Sequence, residues 1–145
     1  MQCGRKPDFT NLLTMEKHKF TAEYELRASP RMLFPYFTTP AGLAQWFADD
    51  VSVNGGKIYN FTWDGSPHYA KITAQRLNKY VRFEFLDDNQ ADAADPNFIE
   101  FKLDMNEMTQ SSFLKVIDYS DLNEAGDLQE LWQNLLTSLR ETVGG

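Results

Sequence analysis

Few side chains in this chain can do acid–base, nucleophilic or metal chemistry. There are two histidines, His18 and His68, and one cysteine, Cys3. Either histidine could act as a general base, but each falls beside a strand start or turn with no cysteine or second histidine near it, so packing or surface roles suit them better. Two histidines and a cysteine close to the N-terminus supply no metal-ligand spacing. The acidic stretch with Asp87, Asp88, Asp92 and Asp95 lacks the glycine and the ordered alternation of a calcium loop and reads as a solvated loop. Gly55-Gly56 is not followed by a helix that could hold a phosphate, and no nucleophile-elbow, P-loop or dinucleotide fingerprint occurs. The sequence therefore implies no catalytic set, no metal and no cofactor.

Three polar residues stand out on apolar faces: Tyr24, Tyr59 and Asp118. Asp118 shares a strand face with Leu114 and Val116. A carboxyl buried there would have a raised pKa and could serve as a general acid or base. It could equally be a cap or turn acceptor beside the last helix.

The strongest compositional signal is aromatic: 11 Phe, 6 Tyr and 3 Trp. So much ring surface has to fill a core, line a cavity or form an interface. The elements that position it follow from periodicity. Residues 17–27 alternate, with Phe20, Ala22, Tyr24 and Leu26 on one face, which marks a half-buried strand. Ser29 and Pro30 then suit an N-cap and a first helical turn, with Met32, Leu33, Tyr36 and Phe37 at helical spacing and Pro35 keeping the helix short. Thr39-Pro40 starts a second short helix carrying Leu43, Trp46 and Phe47.

Strands follow at 57–63, 68–76, 80–86, 98–105 and 111–119, separated by turn clusters such as Asp64-Gly65-Ser66-Pro67. From Asp121 onward the period becomes helical. Leu128, Leu131, Trp132, Leu135, Leu136 and Leu139 form an apolar face, with acids toward the start and Arg140 near the end.

The order implies one α+β domain, a curved antiparallel sheet of about six to seven strands with the long C-terminal helix on its concave face. That arrangement points Tyr59, Phe61, Trp63, Phe83, Phe85 and Phe101 toward Trp132, Leu135, Leu136 and Leu139, with Phe37, Trp46 and Asp118 at the margin. Together these are the candidate ligand-binding residues. Whether the rings line a pocket or fill the space themselves is open at this level.

A length of 145 residues fits one domain. Residues 1–14 mix charge, Pro and Gly and are expected to be a flexible tail, with Met15 a second possible start and 15–145 the folded domain. Fourteen Lys and Arg against 21 Asp and Glu give a net charge of −7, which disfavours nucleic acid. No apolar run of 18 residues occurs, so no membrane insertion and a cytoplasmic location are expected.

Three stretches together resemble a known family. They are SPRMLFPYFTTPAGLAQWF (29–47), with its short helix, T-x-P and second short helix ending in Trp; Gly55-Gly56 before YNFTW (59–63); and the terminal LWQNLLTSLRE (131–141). Their order resembles the helix-grip fold of the START-like superfamily. The closer likeness is to bacterial single-domain relatives of the activator of the 90-kDa heat-shock chaperone's ATPase.

The resemblance implies a sheet wrapped around the last helix and a hydrophobic small molecule or lipid between them. Two other functions are compatible with it. One is a protein-interaction or chaperone-assisting module using an apolar surface around Phe34, Phe37 and Phe47. The other is a cyclase- or hydrolase-type enzyme relying on Asp118, Tyr24 and Tyr59.

Overall fold

The computed structural model describes residues 17–87, 89–120 and 125–144. The expected tail and the beginning of the last helical pattern at Asp121 lie outside the described residues.

Seven strands form one antiparallel sheet. They are β1 (His18–Leu26), β2 (Asp50–Asn54), β3 (Ile58–Trp63), β4 (Ser66–Arg76), β5 (Tyr80–Phe85), β6 (Phe98–Asn106) and β7 (Ser111–Ser120), ordered β1-β7-β6-β5-β4-β3-β2. Strands β2 to β7 meander, each pairing with the next, and β1 returns beside β7 with Phe20 opposite Asp118 and Tyr24 opposite Leu114.

The hairpin β3–β4 turns on Asp64-Gly65 alone. Both residues have positive φ, 51° and 79°, the two-residue turn whose twist matches its strands. Strand β4 consequently begins at Ser66 and includes Pro67, where the expected turn had continued to 67. Pro67 is tolerated because β5 pairs with β4 only from Ala70 onward, leaving that edge open.

Between β1 and β2 lie α1 (Pro30–Thr38) and α2 (Pro40–Leu43). Ser29 caps α1 by accepting the Met32 amide at 3.3 Å, and Thr39 caps α2 by accepting the Gly42 amide at 2.9 Å. The expected second helix is shorter than its apolar pattern. After Leu43 the chain tightens into turns, the amides of Trp46, Phe47 and Ala48 all reaching the Leu43 carbonyl. The two helices meet at Gly42, where an added Cβ would lie 2.4 Å from the Pro35 carbonyl oxygen.

The last helix, α3 (Ala125–Val143), buries Leu128, Trp132, Leu136 and Leu139. These are the i, i+4, i+8 and i+11 positions of one stripe. Leu135 is half-buried on its flank, and Leu131 is 42% exposed, so the six apolar positions do not all face the sheet. Arg140, in the last turn, donates Nη2 to the Glu25 carbonyl of β1 at 3.2 Å and ties the helix end to the edge strand.

Candidate functional site

Strand alternation places Tyr59, Phe61 and Trp63 of β3, Phe83 and Phe85 of β5 and Phe101 of β6 on the concave face, as their spacing implied. What covers them differs from the expectation. The short-helix segment joins the last helix beneath the sheet. Phe47 stands among Phe61 (5.3 Å between centroids), Trp63 (5.3 Å), Phe101 (5.9 Å) and Trp132 (6.0 Å). Phe37 packs on Phe101 at 4.8 Å and edge-on to Trp46 at 5.5 Å. Offset and edge-to-face contacts at these separations are the favourable geometries for aromatic pairs.

Polar atoms on the rings fix this arrangement. The Trp63 indole donates to the Phe47 carbonyl at 2.8 Å, the Trp46 indole to the Tyr36 carbonyl at 2.8 Å, and the Tyr59 hydroxyl to the Thr38 carbonyl at 2.6 Å. Burial pushes the Tyr59 phenol above its ordinary pKa. Phe37, Trp46, Phe61, Phe83, Phe101, Trp132, Leu136 and Leu139 are buried, while Tyr59, Trp63, Phe85 and Leu135 keep partial exposure. Phe34, Phe37 and Phe47 are buried too, so the apolar surface expected around them does not exist. Each turns inward because the sheet curves over the short helices.

Asp118 is 4% exposed and accepts the Trp132 indole N–H at 2.8 Å. Burial raises its carboxyl pKa, while the indole and the nearby Ser120 hydroxyl oppose the rise. The carboxylate therefore seats the helix on β7. This is close to the expected acceptor role beside the last helix, although its donor is a side chain and not a backbone amide.

Further along, over the edge strand, the cover changes. An open depression of about 410 Å³ runs between β1 and α3, lined by Phe20, Ala22 and Tyr24 together with Thr21, Glu23, Gln129 and Gln133. Ala22 is the small residue between two half-buried rings, and the glutamines lie one helical turn apart on the flank of α3. Tyr24, singled out from the sequence, is here. Burial raises its phenol pKa, offset by the positive charge of Arg140.

A family model described as the START-like superfamily domain matches residues 14–145. The chain belongs to the START-like superfamily. Among solved structures, the Aha1 dimer of Colwellia psychrerythraea is similar at 22% identity and TM-score 0.68, over 86% of this chain and 94% of that one. A Bacteroides fragilis protein is 35% identical with TM-score 0.60, over 88% and 92% of the two chains. A Mesorhizobium loti protein is 17% identical with TM-score 0.69, over 88% and 97%. No curated protein matches.

Seen as a START-like domain, the chain has a helix grip whose concave face is occupied by its own rings over β3 to β6 and is open over β1. His18 opens β1 and is exposed, and the exposed His68 packs edge-on to Trp63 at 5.1 Å, at the margin of the ring cluster. Among the described residues no three His, Cys, Asp or Glu side chains converge as metal ligands, and no helix is long and apolar enough to cross a membrane.

Sequence reasoning missed Phe47 as the hub of the cluster and Gln129 and Gln133 as lining residues. The adjacent pair Trp46-Phe47 after a capped short helix was the available signal for the first. Glutamines on a helix flank carry no such signal.

Proposed function

We propose that this START-like domain binds a hydrophobic small molecule or lipid between the sheet and α3, entering along the edge strand β1. The depression over Phe20, Ala22 and Tyr24 is the observation that carries this reading. It sets Phe20, Ala22 and Tyr24 beside the polar Thr21, Glu23, Gln129 and Gln133 and has the volume of a small-molecule site. Gln129 and Gln133 offer amide donors and acceptors to a polar end of the ligand, and the rings take its apolar body. The half-buried Tyr59, Trp63, Phe85 and Leu135 are the parts of the sequence-derived set with surface left to offer a ligand.

Thermal unfolding in the presence of a panel of fatty acids, sterols and planar aromatics tests the proposal. A ligand held at 100 times its Kd should stabilise the fold by about 2.7 kcal/mol. The variant Ala22→Trp, which fills the depression, should lose that gain. No stabilisation by any panel member, or a gain unchanged in Ala22→Trp, would overturn it.

A further inference from the structure

The convex face of the sheet divides into two halves that handle charge differently. In one half three cations, Arg82, Lys71 and Lys17, have carboxylates, and Lys19 has none within 4.0 Å among the described residues. Arg82 donates to Glu84 at 3.1 Å and to Glu100 at 2.8 Å, Lys71 pairs with Asp92, and Lys17 with Asp95. In the other half, the cross-strand register lines up Arg76 with Tyr80, Tyr80 with Lys102, and Lys102 with Lys115. Among the described residues none of Arg76, Lys79, Lys102 and Lys115 has a carboxylate oxygen within 4.0 Å.

The direct opposition of Lys102 and Lys115 is the unexpected part, because like charges directly opposite on neighbouring strands destabilise the pair. Three acids are in the neighbourhood, Glu100 and Asp104 on either side of Lys102 and Glu23 opposite Lys115; Glu100 is engaged by Arg82, which leaves the row with an excess of positive charge.

The cations surround a concavity. Arg76, Lys79 and Lys102 line a depression of about 320 Å³ with Tyr80, Leu103 and Asp104. Its geometry is set by the backbone. Asn78 takes a positive φ of 60° in the β4–β5 turn, and the Leu103 amide donates to the Lys79 carbonyl at 2.8 Å, which pins the turn against β6. The Lys102 ammonium is 5.6 Å from the centroid of the Tyr80 ring, whose hydroxyl is held by Glu100 at 2.9 Å.

We propose that this depression is a binding site for a compact, soluble anion of two or more negative charges, a phosphate monoester or pyrophosphate. The volume is at the small end of the range for small-molecule sites. One arginine and two lysines in the lining supply the guanidinium and ammonium donors that phosphate oxygens take. This site is on the opposite face of the sheet from the proposed hydrophobic one and stands or falls without it.

The test is a titration of the ¹⁵N-labelled protein with pyrophosphate and with glycerol phosphate, followed by amide shifts. Shifts centred on residues 76–80 and 102–104 are expected, weakening as salt is raised. Lys102→Glu should reduce the affinity by about tenfold or more, as loss of a charge-assisted contact implies. Lys79→Gln, in the turn, gives a second reading should Lys102→Glu perturb the sheet. Absence of shifts in those segments, or an affinity equal to the parent's in both variants, overturns the proposal. So does tighter Lys102-dependent binding of an acidic peptide or of phosphatidic acid vesicles than of the soluble phosphates, since the face would then serve a macromolecule or a membrane.

Discussion

Over β3 to β6 the concave face meets Phe47, Trp46 and Phe37, whereas over β1 it meets the Gln129 and Gln133 flank of α3. The two regions share a sheet and a helix but solve different problems. A curved surface carrying six aromatic side chains cannot be covered by one helix stripe, because the rings leave gaps that water would have to fill. The α1–α2 excursion supplies matching rings and ties them down through indole and phenol hydrogen bonds to backbone carbonyls. Over β1 there are two rings with an alanine between them, and the helix presents amides that need hydrogen-bonding partners, from solvent or ligand. Stability should therefore concentrate in the first region and binding in the second.

The largest expected effect is at the hub. Phe47→Ala removes contacts with Trp46, Phe61, Trp63, Phe101 and Trp132 at once and should destabilise the fold by about 3–5 kcal/mol. Urea unfolding measures this, with Tyr24→Ala as the matched deletion on the β1 side. Equal losses for the two variants would erase the distinction. Gly42→Ala comes next. Its Cβ would be 2.4 Å from the Pro35 carbonyl and 2.7 Å from the Tyr36 Cα, both backbone atoms, so the two short helices must separate. A loss of about 1–3 kcal/mol is expected, as for other overpacked sites. A stability equal to the parent's would mean that the ring plug tolerates movement.

Asp118 lies between the two regions, opposite Phe20 on β1 and bonded to Trp132 on α3. Its carboxyl pKa is raised in the folded state, so between the unfolded and folded values the native protein binds more protons than the unfolded chain. The stability this contributes is complete below the ordinary carboxyl value and is lost as pH rises through the raised one. Asp118→Asn keeps an oxygen to accept from the indole but cannot titrate. Relative to that variant, the parent should gain stability as pH falls from neutral into the acid range. Unfolding midpoints of both proteins across that range give the comparison, and a flat difference, or one growing with pH, would contradict it. Asp118→Ala instead leaves the Trp132 N–H unpaired and should cost about 1–3 kcal/mol.

What the sequence made legible follows the range of the physics. Period-2 alternation is local, so β1 and β3 to β7 could be read, along with the face Asp118 shares with Leu114 and Val116. Strand β2 escaped because Val51 and Val53 are its sole apolar pair in five residues. The alternative reading of an apolar surface around Phe34, Phe37 and Phe47 does not hold; short helices show no partner in sequence, and theirs is a sheet formed mostly downstream. The bond from Asp118 to Trp132 joins residues 14 apart across two elements, and its geometry depends on how α3 crosses β7. The β1 depression was the least legible. A glutamine facing solvent and a glutamine facing a pocket look alike until the opposite wall is known.

That ambiguity defines the smallest effect and the most selective test. Gln133→Leu replaces an exposed amide on the flank of α3 by an apolar side chain of similar size. In the unliganded protein the change should move stability by no more than about 0.5 kcal/mol, as for surface positions generally. If Gln133 bonds the polar end of a ligand, the same substitution should weaken binding of panel members that carry a hydroxyl or amide and leave purely apolar ones unaffected or improved. Isothermal titration of a matched pair, a fatty alcohol and its parent alkane chain carried in a mild detergent, separates the two effects. A variant that lost both ligands equally would point to altered shape in the groove, and one that lost neither would remove Gln133 from the site. Because the hub stays intact in this variant, any loss belongs to the β1 side alone, which is the property that distinguishes the two regions.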